Sequence, residues 1–279
     1  MKRMRILGLC LVAVFAMGVV VAASASASEP GWYECAKAPK EGKTFTGKYS
    51  DKGCTTKVES GGKYELQPGI GKGKAFKGKG GKAVLHNVIP GKGDIKVECQ
   101  SFKDEGKVAA PNIEFGVKST FSKCKSLGAP CKTEGGKKET ITTETLAGTL
   151  GYLSKSGKVV GADLASEKTP GSGYVAQFEC EGVAKVRVHG SVIGTVTGDI
   201  NTFNKESTTT FSVGTYLGEL SPGYSPLTNP PEFEGGSPDI LLTELNGPET
   251  GNEWAPEGGL PSGQEGAAVN KGESLEIKA

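Results

Sequence analysis

The sequence predicts an all-β protein, a disulfide-bonded sandwich or jelly-roll-like arrangement with few, short helices. Three observations carry that prediction. Thr and Val crowd the segments in which apolar and polar side chains alternate, and Gly, at 43 of 279 residues, divides the chain into short runs. No apolar stripe sustains the i, i+3, i+4, i+7 spacing of an amphipathic helix.

The chain begins with an export pattern. Lys2, Arg3 and Arg5 give a positive start, Ile6 to Ala23 an apolar core, and Ala25-Ser26-Ala27 an A-x-A site of small side chains. Residues 1–27 therefore read as a cleaved signal peptide, which implies a secreted, extracellular protein. An uncleaved anchor is the weaker alternative. Lipid attachment at Cys10 is weaker still, because Leu9 precedes the cysteine and the apolar core runs on past it. No second apolar run is long enough to span a bilayer, so no stable membrane anchor is expected after cleavage. Removing the first 27 of 279 residues leaves 252, enough for one large all-β domain or two ordinary ones.

Cys10 leaves with the signal, so the seven cysteines become six: Cys35, Cys54, Cys99, Cys124, Cys131 and Cys180. An even count suits an oxidised, exported chain. Six cysteines allow 15 pairings. The expected set is Cys35 with Cys54, Cys124 with Cys131 across the Lys125 to Pro130 turn, and Cys99 with Cys180, which end the similar runs Val97-Glu98-Cys99 and Phe178-Glu179-Cys180. No C-x-x-C occurs, so neither a thioredoxin-like centre nor a zinc ribbon is supported.

In the body, residues 28–214, short strands are expected around Trp32 to Pro68. Gly69 to Lys82 is almost entirely Gly and Lys and reads as a mobile basic loop. Lys72, Lys74, Lys77, Lys79 and Lys82 are its candidate anion contacts. It does not match a phosphate-binding P-loop, because Gly80 stands where Ser or Thr is needed. Ala83 to Ile89 and Asp94 to Phe102 form a candidate hairpin around Pro90-Gly91-Lys92-Gly93. Thr140 to Leu153, Tyr174 to Cys180, Val183 to His189, Ser191 to Thr197 and Ser207 to Val213 are further strand candidates. Val183 to His189 alternates Ala184, Val186 and Val188 with Lys185, Arg187 and His189, which predicts one buried and one solvated face.

Residues 215–279 are rich in Pro and Gly and carry eleven acidic residues against Lys271 and Lys278. Disorder is the compositional reading. Ile240 to Leu245 and Ser274 to Lys278 still read as strands, so this acidic segment is expected to pack back on the body through one or two of them.

Candidate chemistry is sparse. His86 and His189 lie in strand patterns far apart, with no metal-ligand spacing, and Ser191 lies in no nucleophile elbow. Glu98 and Glu179, each preceding a cysteine, are the carboxylate pair to inspect for glycoside hydrolysis. Asp94, Asp199 and Asp239 each precede Ile at the mouth of a strand but lack EF-hand spacing. Trp32 and Trp254 are candidates for stacking on sugar rings. No cofactor, metal or nucleic-acid partner is expected, and the catalytic residues stay unassigned.

The runs Gly173-Tyr174-Val175-Ala176-Gln177-Phe178-Glu179-Cys180, Val188-His189-Gly190-Ser191-Val192-Ile193-Gly194 and Asp239-Ile240-Leu241-Leu242-Thr243-Glu244 resemble segments of uncharacterised secreted proteins of soil actinobacteria. That resemblance implies bacterial secretion and brings no activity, ligand or catalytic residue with it. The sequence reading is a secreted extracellular binding or structural protein without catalytic activity, with extracellular polysaccharide as the partner to test. Its alternatives are a carbohydrate-active enzyme using two carboxylates and a membrane-perturbing β protein built from the Thr-rich stretches Thr140 to Thr149 and Ser191 to Val213.

Overall fold

A computed structural model describes residues 29–68, 73–89, 93–109, 111–168, 173–202, 204–212, 232–237 and 239–279. The export pattern, Lys72 and most of the Pro90 turn lie outside them. The fold is all-β with a partly sandwich-like topology, and its only helical turn among the described residues is a single 3₁₀ turn at Pro248–Thr250.

An N-terminal layer contains β1 (Gly31–Lys37), the small hairpin β2 (Lys40–Glu41) and β3 (Thr44–Phe45), β4 (Gly47–Tyr49), β5 (Lys57–Gly62) and β6 (Tyr64–Pro68). Then come β7 (Lys74–Gly80), β8 (Ala83–Ile89), β9 (Gly93–Cys99), β10 (Ser101–Ala109) and β11 (Ile113–Ser122). The short hairpin β12 (Lys125–Ser126) and β13 (Ala129–Lys132) leads to β14 (Thr140–Thr142), β15 (Leu146–Ser154), β16 (Val159–Ser166) and β17 (Tyr174–Cys180). The chain ends with β18 (Ala184–Thr197), β19 (Asn204–Phe211), β20 (Leu241–Asn246) and the 25-residue β21 (Trp254–Lys278).

The antiparallel pairings close into two rings. The first runs β7, β10, β11, β15, β16, β18, β19, β21 and back to β7. The second runs β8, β9, β12, β13, β17, β18, β20, β21 and back to β8. Closure leaves neither ring with an unpaired edge that could recruit another chain. β18 and β21 belong to both rings: Lys185 to Gly190 pairs with β20 in the second, while Thr195 to Thr197 pairs with β19 in the first.

Gly190 marks the passage of β18 between rings. Its φ is +94°, and a Cβ there would lie 2.2 Å from the Ile240 carbonyl oxygen. Both the backbone conformation and the close approach require glycine. Gly190→Ala is expected to destabilise the protein by about 2 kcal/mol, measured as a lower urea midpoint at unchanged m.

Three sequence expectations need correcting. Lys74–Gly80 is not a loop but a strand paired on both sides, to β10 and β21. Its glycines face inward because large neighbours occupy the space: a Cβ on Gly80 would lie 2.0 Å from the Phe102 ring, and one on Gly78 2.4 Å from the Asn270 amide oxygen. The stretch expected as one strand from Asp94 to Phe102 breaks at Gln100, where the chain leaves the second ring at β9 and enters the first at β10. The disulfide partners also differ from the expected set.

Cys35 and Cys54 are bonded, but Cys99 joins Cys124, and Cys131 joins Cys180. The expected Cys124–Cys131 and Cys99–Cys180 pairs fail for one reason. The β12–β13 hairpin is inserted between β9 and β17, so each of its cysteines reaches outward to a different flanking strand. Cys124 and Cys131 remain backbone neighbours, with the Cys131 N–H donating to the Cys124 carbonyl at 2.9 Å. All four sulfurs lie in the main core with Val97, Phe178, Val186, Val188 and Leu241. A second core, around Trp32, Leu150, Val160 and Ile277, lies where the N-terminal layer meets β21.

The third disulfide is organised by Asp51. Its carboxylate accepts from the N–H groups of Gly53 at 2.9 Å and Thr56 at 2.7 Å, and from the Thr55 hydroxyl at 3.1 Å. These donors, Thr56 foremost, hold its pKa down at about 2.

Candidate binding face

The outer side of the second ring brings charged, amide and aromatic side chains together. Because alternate residues face outward, Phe178, Val186, Val188 and Leu245 enter the core while their neighbours form rungs across the surface. One rung runs Lys132, Glu179, Lys185, Asn246, Trp254, each opposite the next in strand register. The next runs Gln177, Arg187, Glu244.

Arg187 is the centre of this face. Its guanidinium carbon lies 3.8 Å from the Trp254 ring centroid and 5.4 Å from that of Tyr174, and Tyr174 meets His189 edge-on at 6.3 Å. Although Glu244 stands opposite, the guanidinium is held by aromatic faces and makes no ion pair with it. A partly desolvated cation–π contact of this kind is worth about 1–2 kcal/mol. It also fixes the planes of two aromatic rings on an exterior surface.

Beside this stack a cleft of about 600 Å³ opens along the β17–β18 turn. Lys132, Lys138, Lys185, Glu179, Glu181 and Asn246 are among its walls. Its volume falls within the range of small-ligand sites, and its walls carry both ammonium donors and carboxylate acceptors. Lys132 and Glu179 are paired at 3.3 Å. No protein-family model, curated protein or solved structure matches the chain. The chemistry of this face therefore rests on its own residues.

The structure brings three sequence candidates, Glu179, His189 and Trp254, onto this one face and scatters the rest. Glu98 is separated from Glu179 by the intervening β12 and β13, three strand spacings or roughly 14 Å. That exceeds the carboxylate separation of either retaining or inverting glycosidases. Glu98 is moreover held below the ordinary carboxylate range by its 2.7 Å hydrogen bond to Lys82, the reverse of what a general acid needs. Trp32 is 4% exposed and belongs to the core, not to a sugar platform.

His86 Nδ1 lies 2.7 Å from Asp94, and its Nε2 3.4 Å from Glu265. Among the described residues, no group of three or more His, Cys, Asp or Glu is arranged to hold a metal. Ser191 donates to Asp239, whose carboxyl sits beside Asp163 on the outside of the first ring. The sequence reading missed Arg187 and Tyr174 as site residues. The signal available was Arg187 on the outward phase of Val183 to His189, between Lys185 and His189.

The interior of the first ring differs in kind. Two cavities of about 40 and 50 Å³ share Phe76, Glu114, Thr209 and Asn270 as their partition. Each has room for a few waters and none for a sugar. The acids around them carry raised pKa values: Asp104 at about 6, Glu114 at about 7 and Asp199 at about 7. Burial is the main cause in each, reinforced at Glu114 by Asp199 and Asp104. Asp163, outside the ring, is pushed to about 7 by burial and then by Asp239. Asp199 is only 4% exposed, and its Oδ1 has no hydrogen-bond partner. Burial thus favours the protonated form of all four carboxyls and couples the stability of the first ring to pH.

Proposed function

We propose that this chain is a secreted bacterial protein that binds extracellular polysaccharide without catalysis, through the outer face of the second ring. The observation that carries the reading is the Trp254–Arg187–Tyr174 stack standing beside a cleft of about 600 Å³ lined by alternating Lys, Glu and Asn. Fixed aromatic planes take the apolar faces of sugar rings, and the neighbouring polar side chains take hydroxyl groups. Six cysteines in three disulfides support an oxidising, extracellular setting. The glycosidase alternative loses its leading carboxylate pair to distance. The stretches that suggested membrane hairpins, Thr140 to Thr149 and Ser191 to Val213, contribute β14, β15, β18 and β19 to the folded sheets.

The test is retention of the purified mature protein on xylan, arabinogalactan and β-glucan, with new reducing ends measured in the same samples. Binding to at least one polymer with no release of reducing ends is expected. Trp254→Ala should weaken that binding about tenfold, equivalent to about 1.4 kcal/mol. Unchanged binding by Trp254→Ala would contradict the location of the site, and release of reducing ends would contradict the absence of catalysis.

A further inference from the structure

We infer that the outer face of the first ring, across β11, β10, β7 and β21, is a second and separate surface, for a linear polyanionic polysaccharide. The Gly/Lys segment at its centre is a doubly paired strand, so its lysines are held in a fixed array. In that array Lys79 stands directly opposite Lys103 on one side, and Lys77 directly opposite Lys271 on the other. Lys118 joins the same rung through Glu105, which faces both it and Lys77.

Like charges directly opposite one another in a sheet destabilise it. Glu105 and Glu206 stand opposite Lys77 and Lys271, but the Lys79–Lys103 pair is flanked by Val269 and Thr120 and is therefore a cost that the fold itself does not explain. Of these lysines, Lys271 alone is neutralised among the described residues, by Glu206. Lys77, Lys79, Lys103 and Lys118 form no ion pair among the described residues, Glu105 notwithstanding. All four are exposed. The strand geometry spaces them about 5 Å apart across the sheet and about 7 Å apart along it. A compact grid of unpaired ammonium groups complements a polymer with closely repeated anionic groups better than a single small anion, because adjacent lysines share its successive charges. Of the other lysines in the segment, Lys74 turns to Glu34 at 3.7 Å and Lys82 to Glu98 at 2.7 Å, so neither belongs to the grid. This surface is built from strands other than those carrying the Arg187 stack and does not depend on it.

The experiment compares binding of the full mature protein to polygalacturonate, phosphomannan and uncharged mannan at about 0.05 M and about 0.3 M NaCl. The wild type should bind at least one of the two charged polymers, prefer it strongly to mannan, and lose at least tenfold in affinity at the higher salt. The Lys77→Gln, Lys79→Gln, Lys103→Gln triple variant should lose at least tenfold at low salt while melting no lower than the wild type. Trp254→Ala should keep its polyanion binding. Carboxylate-only or phosphate-only binding supports the surface and assigns its anion. The proposal is overturned if the wild type binds neither charged polymer, if the triple variant binds like the wild type, or if double-stranded DNA binds more tightly than both polysaccharides.

Discussion

The melting temperature should fall by about 10–20 °C as pH rises from about 4.5 to about 8, the reverse of the usual behaviour of a protein rich in paired carboxylates. Glu114, Asp163 and Asp199 each hold their proton to about pH 7 in the folded chain, against ordinary values near 4 when unfolded. Between those limits the folded state binds more protons than the unfolded state. The stability these acids contribute is complete below about pH 4 and is lost as pH rises through 7. A tenfold difference in proton affinity between the folded and unfolded chain corresponds to about 1.4 kcal/mol, and after allowance for coupling and partial exposure the three acids together amount to roughly 5 kcal/mol. Asp51 acts in the opposite sense: with its pKa at about 2, its contribution is present above the unfolded value and is lost only as pH falls towards 2. The stability optimum should therefore lie near pH 4–5. Asp199→Asn should raise the melting temperature at pH 8 and leave it nearly unchanged at pH 4.5. A flat profile from pH 4.5 to 8, with no gain from Asp199→Asn, would contradict the buried-acid interior.

Removal of the Cys131–Cys180 bond by paired substitution with Ala should cost about 4 kcal/mol, and removal of Cys99–Cys124 slightly less. These bonds span 49 and 25 residues of sequence, and loop-closure entropy grows only slowly with length. Both anchor the β12–β13 hairpin, which contributes only two and four residues to the second ring. Loss of either bond should therefore loosen the ring locally, visible as faster amide exchange in β9, β12, β13 and β17. Non-reducing peptide mapping should recover Cys99 linked to Cys124 and Cys131 linked to Cys180. Intact mass should lie six hydrogens below the reduced form. A recovered Cys124–Cys131 or Cys99–Cys180 peptide would contradict the connectivity and the hairpin's position with it.

The parts of this fold that were legible in the sequence are those set by local pattern. Alternation in Val183 to His189 identifies both the strand and its inward side chains, and the apolar run Ile240 to Leu245 locates β20 to within one residue. What escaped depends on distant partners. Lys74–Gly80 has the composition of a loop, and its glycines make sense only when Phe102 and Asn270 are seen to fill the space above them. Trp254 to Glu273 is too rich in Pro, Gly and Glu to read as a strand, yet β7, β8, β19 and β20 pair with it along its length. The exchange of disulfide partners has the same origin, since the two cysteine-ended strands resemble each other without being neighbours. At the candidate site, Trp254, Glu179 and His189 were visible as residue types. Their convergence on Arg187 was not, because it requires β17, β18, β20 and β21 to lie side by side.

The most direct test of the central claim is an amide hydrogen-exchange footprint of the mature protein, alone and saturated with whichever of xylan, arabinogalactan or β-glucan it retains. Protection concentrated in β17, β18 and β20, at the rungs that carry Tyr174, Arg187 and Asn246, is the expected result. Protection confined to β7, β10 and β11, or no protection at saturation, would contradict a polysaccharide-binding face on the second ring.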